Sequence, residues 1–359
     1  MADEERPIFS AVSSSARQLF LLLRCVSFAP SAQVQISDEG LRFSVEESGV
    51  MEGMVFLEKT LFTSYQFNGP TTSSPNTDSS EHVGSAAPMF TISLLSLLET
   101  LQLFGLTADN SSKTSPFSRD SYTHAFSNQV LGVSGLCRLG YEAPGAPFTV
   151  ILEEHGIKTV CELNTYEPVF LSDIPFSRED IVMKVIMRAS YLLDAIDELG
   201  TSNPQVITLA AQKRAFTVSA SSPLGSAVVE FHRDAKASRH KNPTPRSHDD
   251  DGRGQTESDS ATTGLLETFL LAPSTDGAFS QSYKFAHVAA IRKALQSAIK
   301  VSVRADHQGV LSLQFMIENL EGGGVSFVDF RFVPLLDDEG ERVAPDDSED
   351  DDDEEPEEE

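Results

Sequence analysis

Residues 283–317 read YKFAHVAAIRKALQSAIKVSVRADHQGVLSLQFMI, and this stretch holds the two patterns that decide the fold. In residues 285–299 the apolar positions recur at the spacing of an amphipathic helix. From residue 300 onward apolar and polar residues alternate on both sides of His307-Gln308-Gly309, which predicts two strands joined by a tight turn. The stretch therefore predicts a helix that runs into a β-hairpin.

The same succession of patterns occurs in both halves of the chain, which indicates an internal repeat. Each half is predicted to contain a helix, a hairpin, further strands, a second helix and a second hairpin. The predicted helices cover residues 13–28, 91–105, 177–199 and 285–299. The predicted hairpins and strands cover residues 34–47, 54–62, 148–164, 206–222, 225–232, 265–272 and 300–333. These elements predict the α+β class.

Segments rich in Ser, Thr, Pro, Gly and charge interrupt this pattern and cannot form a packed core. We expect loop insertions at about 68–88, 107–128 and 233–263, and a disordered acidic tail at 337–359. The first domain is predicted at 1–164 and the second at 176–336, with a connector at 165–175 that holds two prolines and no periodicity.

The charge balance excludes a protein that binds nucleic acid through bulk positive charge. The 359 residues include 27 Lys+Arg and 54 Asp+Glu, a formal net charge of −27. Residues 337–359 hold sixteen acids and one base, so residues 1–336 still carry −12. Because non-specific DNA affinity comes from neutralising phosphates, any contact with DNA must be local. The N-terminal MADEER is acidic and no apolar run is long enough for a membrane span, so we expect a soluble intracellular chain.

Basic residues accompany three of the four predicted helices. They are Arg17 and Arg24 in the first, Lys184 and Arg188 in the third, and Arg292 and Lys293 in the last. Solvated helix faces commonly carry such bases, so one explanation is an ordinary exposed surface. The other is a concave surface whose bases converge on a phosphate backbone. The helices alone do not decide between these explanations.

Motifs of enzyme chemistry are weak throughout the sequence. Residues 132–135 read GVSG and fall short of a nucleophile elbow, no P-loop occurs, and the three cysteines and eight histidines lack metal-ligand spacing. Glu153-Glu154-His155 is the best nuclease candidate, but it lies at a predicted hairpin tip, where solvated charge is the ordinary explanation. We expect no catalytic centre, no bound metal and no cofactor.

Three segments carry a family resemblance. They are residues 283–317, with R-x-D-x-x-G-x-L-S-L-Q-F-M-I from Arg304, residues 159–168 (TVCELNTYEP), and residues 90–105 (FTISLLSLLETLQLFG). Together they resemble the Rad-one subunits of the DNA-damage checkpoint clamp, which are relatives of the proliferating-cell nuclear antigen. The likeness spans both halves but not the insertions or the tail.

This resemblance implies a DNA-clamp fold of two similar domains, each with antiparallel sheets outside and two helices on the inner face. It implies a nuclear, non-enzymatic subunit that forms a heterotrimeric ring with Hus-one-type and Rad-nine-type subunits. A clamp loader would place the ring on double-stranded DNA, where it would bind without sequence preference and recruit repair enzymes and checkpoint-kinase activators. The alternatives are a 3'-5' exonuclease acting on DNA and a homo-oligomeric processivity clamp.

The resemblance also implies roles for individual residues. The DNA channel would be lined by Arg17, Arg24, Lys184, Arg188, Arg292 and Lys293. Neighbouring subunits would meet at two edge strands through Lys158, Val160, Glu162, Ala227, Val229 and Phe231. Partner peptides would bind the connector at Tyr166, Val169 and Phe170.

Overall fold

The computed structural model describes residues 6–69, 87–102, 136–154, 157–168, 173–212, 214–223, 225–233, 265–320 and 323–336. The predicted insertion at 107–128 and the tail at 337–359 lie outside the described residues, as do most of the insertions at 68–88 and 233–263. No helix in the described ranges is both long and apolar enough to cross a bilayer.

Strands dominate the described part of the chain. They are β1 (Phe9–Ser13), β2 (Ser31–Ile36), β3 (Gly40–Glu47), β4 (Met51–Glu58), β5 (Ser64–Phe67), β6 (Met89–Ser93), β7 (Leu136–Tyr141), β8 (Phe148–Glu154), β9 (Ile157–Leu163), β10 (Ile181–Arg188), β11 (Val206–Gln212), β12 (Ala215–Ser222), β13 (Gly225–His232), β14 (Leu266–Leu271), β15 (Ala278–Lys284), β16 (Lys300–Asp306), β17 (Leu311–Glu318) and β18 (Val325–Phe332). The helices are α1 (Ala16–Cys25), α2 (Leu94–Leu101), α3 (Ala189–Gly200), α4 (Phe285–Ala289) and α5 (Arg292–Ser297).

The order of elements repeats. Strands β1 to β9 with α1 and α2 correspond in sequence order to β10 to β18 with α3 and the α4–α5 pair. In both halves the first helix follows the first strand and the second helix follows the sixth. The predicted repeat and the sheet-rich α+β class are therefore confirmed. The domain limits at 1–164, 165–175 and 176–336 remain predictions.

Three antiparallel sheets carry the fold. Their strand orders are β5-β1-β7-β8-β9, β13-β12-β11-β15 and β14-β10-β16-β17-β18-β4-β3-β2-β6. The third sheet is shared by both halves, because β18 pairs with β4 from Val328 opposite Val55 to Phe332 opposite Met51. One continuous hydrogen-bonded sheet thus joins the first half of the chain to the second.

Aromatic rings fill the core at the junction of the halves. The fully buried Phe330 of β18 lies 5.6 Å from Phe315 and 5.9 Å from Phe28 between ring centroids. A Cβ atom on Gly53 would lie 2.7 Å from Cε1 of Phe28 and 3.1 Å from Cε1 of Phe330. A glycine in β4 therefore lets both rings pack directly against the backbone of the strand.

The turn between β16 and β17 shows why residues 283–317 decide the local fold. Gly309 adopts a φ of +78°, which favours glycine. The Asp306 carboxylate accepts hydrogen bonds from the backbone N–H groups of Gln308 and Val310, at 3.0 and 2.9 Å. The buried Tyr283 hydroxyl donates to the Gly309 carbonyl at 2.6 Å. The tyrosine at the start of the stretch thus fixes the turn near its end.

The helix predicted at 177–199 is wrong in its first half. Residues 181–188 form β10, and the helix begins only at Ala189. Four of these eight residues are the β-branched Ile181, Val182, Val185 and Ile186, which favour a strand. A short apolar run fits helical and strand spacing alike, so its pairing with β14 and β16 decided the structure.

The other three predicted helices are also shorter than expected, and the first covers only Ala16–Cys25. Residues 89–93 form strand β6, and helix α2 starts at Leu94 after the Ser93 cap. The last predicted helix is divided into α4 and α5. Between them, the N–H groups of Ala290 and Ile291 donate to carbonyls three residues earlier, which tightens the helix and breaks the α pattern.

A pair of substitutions on β18 tests whether the shared ladder makes the halves cooperative. Phe330→Ala removes a fully buried ring and should lower the free energy of unfolding by about 4 kcal/mol. Because β18 and β4 belong to one sheet, urea denaturation followed by circular dichroism should still show a single transition.

The matched control is Phe327→Ala on the opposite face of β18, where the ring is 41% exposed. This change should lower the free energy of unfolding by less than about 1.5 kcal/mol. Two separate transitions for Phe330→Ala, or equal losses for the two variants, would contradict the cooperative role of the ladder.

Candidate nucleic-acid interface

The helices form one continuous row. Helix α1 contacts α2 on one side and α5 on the other, and α5 in turn contacts α3, which gives the order α2-α1-α5-α3. Helix α1 also packs against β4 and β18, and α5 packs against β17. The row therefore covers the core side of the shared sheet, and the exposed faces of the helices point away from it.

Helix α1 contributes two of the predicted channel residues. Ser15 caps the helix by accepting a hydrogen bond from the Gln18 N–H at 3.2 Å, and the apolar face is buried. Arg17 and Arg24 lie seven positions apart, which places them on one helix face. Arg24 is exposed in the last turn, where the helix dipole favours a cation.

Helix α5 contributes two more predicted channel residues next to α1. The exposed Lys293 ammonium donates to the hydroxyl and carbonyl oxygens of Ser27, at 2.9 and 3.3 Å, just beyond the end of α1. Beneath this contact, burial raises the pKa of Cys25 to about 11, so the thiol is neutral at physiological pH. Arg24, Arg292 and Lys293 therefore lie in adjacent helices of the row.

Lys184 and Arg188 are placed differently from the prediction. Both lie on β10, where the alternate residues Met183, Val185 and Met187 are fully buried in the core. Since successive side chains of a strand point to opposite faces, Lys184 and Arg188 point away from the core side that the helices cover. Their assignment to a helix face is wrong.

Strands β9 and β13 are the edge strands that the sequence predicted there. Strand β9 pairs only with β8, and β13 only with β12, among the described strands. On β9 the predicted interface residues Lys158, Val160 and Glu162 are all exposed.

The predicted face of β13 needs a correction. Phe231 is buried and stacks on Phe216 at 6.0 Å between centroids, and Val229 is half-buried against the core. Ala227, Val229 and Phe231 share one face of the strand. That face turns inward at 229 and 231, and only Ala227 of the three is exposed. The exposed side chains on the opposite face include Val228, Glu230 and His232, which the sequence pattern alone did not single out.

The connector crosses the side of the shared sheet that faces away from the helices. Tyr166 is 60% exposed and forms a two-bond backbone bridge with Thr91 of β6, at 2.9 Å for each bond. The two other predicted connector residues, Val169 and Phe170, lie outside the described residues.

A buried carboxylate holds the next part of the connector. Glu52 is 4% exposed and accepts a hydrogen bond from the Ile174 N–H at 3.1 Å. The Arg331 guanidinium lies 3.7 Å from Glu52 and donates to the Ile174 carbonyl at 2.6 Å. Arg42 bridges Glu52 at 3.8 Å and Asp173 at 2.8 Å. Burial and the nearby Asp173 raise the pKa of Glu52, while the two arginines oppose that shift.

A cleft of about 390 Å³ opens beside this anchor. Its walls include Gln33, Ser44, Glu46, Thr91 and Asp173. Sequence reasoning did not find Glu52 or Arg331, because each lies in an ordinary alternating strand and gains its role only from the connector that passes over it.

The candidate nuclease residues are only partly described. Glu153 is exposed near the end of β8, opposite Lys158 of β9, and His155 lies outside the described residues. In the described ranges, no three His, Cys, Asp or Glu residues form a group that could hold a metal ion.

Comparison with known proteins agrees with this architecture. The family described as repair protein Rad1/Rec1/Rad17 matches residues 8–317. The chain belongs to this family. The resemblance to checkpoint clamp subunits, noted first on three segments, is thereby confirmed at the level of the family.

Individual relatives carry checkpoint and repair names. The DNA damage checkpoint control protein rad1 of Schizosaccharomyces pombe is 30% identical over 331 residues, which cover 91% of this chain and 87% of the relative. The human cell cycle checkpoint protein RAD1 is 26% identical, over 92% of this chain and 94% of the relative. The DNA repair exonuclease REC1 of Mycosarcoma maydis is 28% identical over 186 residues, which cover 50% of this chain and 39% of the relative.

The last of these relatives overturns one expectation. The sequence analysis predicted that the chain is not an enzyme. A protein named as an exonuclease, however, is similar in sequence over 50% of this chain. The weakness of local catalytic motifs was therefore not a sufficient reason to exclude enzymatic activity.

Two glutamates on the same face of β4 test the anchoring of the connector. Glu52→Ala leaves Arg331 and the Ile174 N–H without their buried acceptor, so the free energy of unfolding should fall by about 3 kcal/mol. The Ile174 amide should also exchange faster with deuterium. Both effects are measurable, by urea denaturation and by hydrogen exchange with mass spectrometry.

The control is Glu58→Ala, which removes an exposed carboxylate six residues further along the strand and should change the free energy of unfolding by less than about 0.5 kcal/mol. Glu52→Gln keeps an acceptor for Ile174 and should lose less than Glu52→Ala. Unchanged exchange at Ile174 in Glu52→Ala would rule out the anchor.

Proposed function

We propose that the chain is one subunit of a heterotrimeric checkpoint clamp that encircles duplex DNA at sites of damage. The observation that carries this proposal is the row α2-α1-α5-α3, in which Arg17, Arg24, Arg292 and Lys293 lie on the side away from the sheets. In this proposal the row lines the channel of a ring, and the sheets of two similar domains form its outside.

A ring explains how an acidic protein can hold DNA. Enclosure keeps the duplex in place, so each subunit needs only a few weak phosphate contacts that allow sliding. Charges separated by more than about 8 Å are largely screened at physiological salt, so an acidic outer surface does not cancel a few inner bases. Membership of a family of checkpoint and repair proteins supports this use of the fold.

The two edge strands supply the means of closing the ring. Strand β9 ends one sheet and β13 ends another, and each carries an exposed valine, with Val160 at 51% and Val228 at 56%. An unpaired edge is a template for another strand. We propose that β9 pairs with one neighbouring subunit and β13 with the other. Two different edges suit head-to-tail closure, whether the neighbours are related subunits or further copies.

The remaining partners follow from the same proposal. A clamp loader would open and close the ring on DNA, and the exposed connector around Tyr166 would receive repair enzymes or checkpoint-kinase activators. The neighbours would be Hus-one-type and Rad-nine-type subunits, and the work would take place in the nucleus. The support for these assignments is the checkpoint role named for the relatives.

Charge reversal tests whether the helix row α2-α1-α5-α3, called the DNA-facing row below, contacts DNA. In the double variant Arg24→Glu, Lys293→Glu, two cations become anions on the exposed faces of α1 and α5. The assembled ring should slide off linear DNA faster, and the slope of log affinity against log salt should become shallower by about two units. Retention on nicked circular DNA, before and after linearisation, measures the first effect.

The control is Arg138→Glu, Arg178→Glu, which makes the same charge change at two exposed positions outside the helices. Arg138 alternates with the buried Cys137 and Leu139 and therefore points away from the core. Equal loss of DNA retention in both double variants would mean that only net charge matters, and the assignment of the helix row would fail.

Exposed valines on the edges test ring closure. Val160→Lys or Val228→Lys places a charge in the middle of an edge, where it opposes strand pairing. Each variant should shift the co-purified assembly to smaller species in light scattering, while the chain itself stays folded. The control is Leu270→Lys on β14, a third edge strand with an equally exposed apolar residue, 57% accessible. Dissociation by the control alone would place the subunit contact elsewhere.

An exonuclease is the second candidate function, favoured by the name of the REC1 relative. Its best described residue is Glu153, exposed near the end of β8. Release of nucleotides from a 3'-labelled duplex in the presence of Mg²⁺ would support it, provided that Glu153→Gln abolishes the release. The same release from Glu153→Gln protein would point to a contaminant or to another site.

A further inference from the structure

Helix α3 gives the row of helices an acidic end. Its exposed residues Asp194, Asp197 and Glu198 are spaced i, i+3 and i+4, so they share one face, and no Lys or Arg lies between Ala189 and Gly200. Burial and the nearby Lys284 lower the pKa of His287 in α4, which favours its neutral form, so His287 is not counted among the fixed charges. The fixed charges of the five helices in the described ranges are four bases and four acids: Arg17, Arg24, Arg292, Lys293, Glu99, Asp194, Asp197 and Glu198.

One of the four bases, Arg292, forms an ion pair with this acidic face. The Arg292 Nε lies 2.6 Å from Asp197 Oδ1. A Cβ atom on Gly200 would lie 2.8 Å from Nη2 of Arg292, so the missing side chain lets the guanidinium approach the last turn of α3. The negative end of the helix dipole favours a cation at that point. Arg292 therefore pairs with Asp197 and lies against the last turn of α3.

We propose that the acidic face of α3 offsets part of the positive charge of the DNA-facing row, and we call this face the counterweight. Within it, Asp197 holds Arg292 away from the phosphates. This inference rests on the proposed function, since it assumes that the row faces a duplex. The acidic face repels the phosphate backbone at one end of the row, and the exposed cation Arg24 attracts it in the middle. The duplex lies closer to α1 than to α3. The row of helices binds DNA weakly enough for the ring to slide.

Neutralisation of the acids tests the counterweight. Asp197→Asn should free Arg292 for one additional phosphate contact, which steepens the slope of log affinity against log salt by about one unit. The triple variant Asp194→Asn, Asp197→Asn, Glu198→Gln should bind more tightly still. The measurement is fluorescence anisotropy of the full-length chain with a labelled duplex of mixed sequence, over about 50 to 200 mM salt.

Two further variants make the test specific. Asp276→Asn removes one carboxylate at the far end of β15, about 20 Å from the helices over seven strand residues, and should leave the slope unchanged. Asn is tolerated at its left-handed φ of 51°. The double variant Asp197→Asn, Arg292→Gln should lose the gain of Asp197→Asn, because the additional contact comes from Arg292.

The outcomes separate this inference from the proposed function. If the triple variant binds no more tightly than the unchanged chain, the counterweight is refuted, whatever the affinity of that chain. If Arg24→Glu, Lys293→Glu still weakens retention in that case, the DNA-facing row stands without the counterweight. If neither set of changes affects DNA binding, both proposals fail. A gain that Arg292→Gln does not remove would refute the role of Asp197.

Discussion

The pairing of β18 with β4 is the constraint on which the rest of the structure depends. These strands come from different halves of the sequence, and their ladder makes one sheet of nine strands out of two repeated halves. A sheet with one apolar face must be covered on that face. Helices α1 and α5 cover it side by side, and for this reason the bases of the first half lie next to those of the second.

The two faces of that sheet use charge in different ways. On the helix side, charged groups are exposed and loosely paired, so they can exchange partners with a polyanion. On the other side, the buried Glu52 pairs with the half-buried Arg331 beneath the connector at 3.7 Å, and the half-buried Arg304 and Asp329 pair with each other at 3.6 Å. A buried pair of this kind is costly to break, so it holds a segment in place. The same residue types therefore give an exposed charged surface on one face, and on the other face they anchor the connector to the sheet.

Much of the fold was predictable from local signals. The hairpins at β8–β9 and β11–β12, the capped helix α1 and the turn at Gly309 all follow from alternation, capping residues and glycine. The edge strands β9 and β13 were also predicted, as was the position of Arg17, Arg24, Arg292 and Lys293 on helices, while their contact with DNA stays a prediction. Residues 181–188 were not, because four β-branched residues in a short apolar run fit a helix or a strand until neighbouring strands are known.

The sequence by itself determined the repeat, the α+β class and the family, because periodicity and turn chemistry are properties of neighbouring residues. Only the tertiary structure decided which strands share a sheet, which face of β13 meets solvent, and which acid holds Arg292. Those outcomes depend on contacts between residues far apart in the chain: Arg292 and Asp197 are separated by 95 positions, and Phe330 and Gly53 by 277. No local pattern encodes such a contact, so burial and strand pairing establish it as the chain folds.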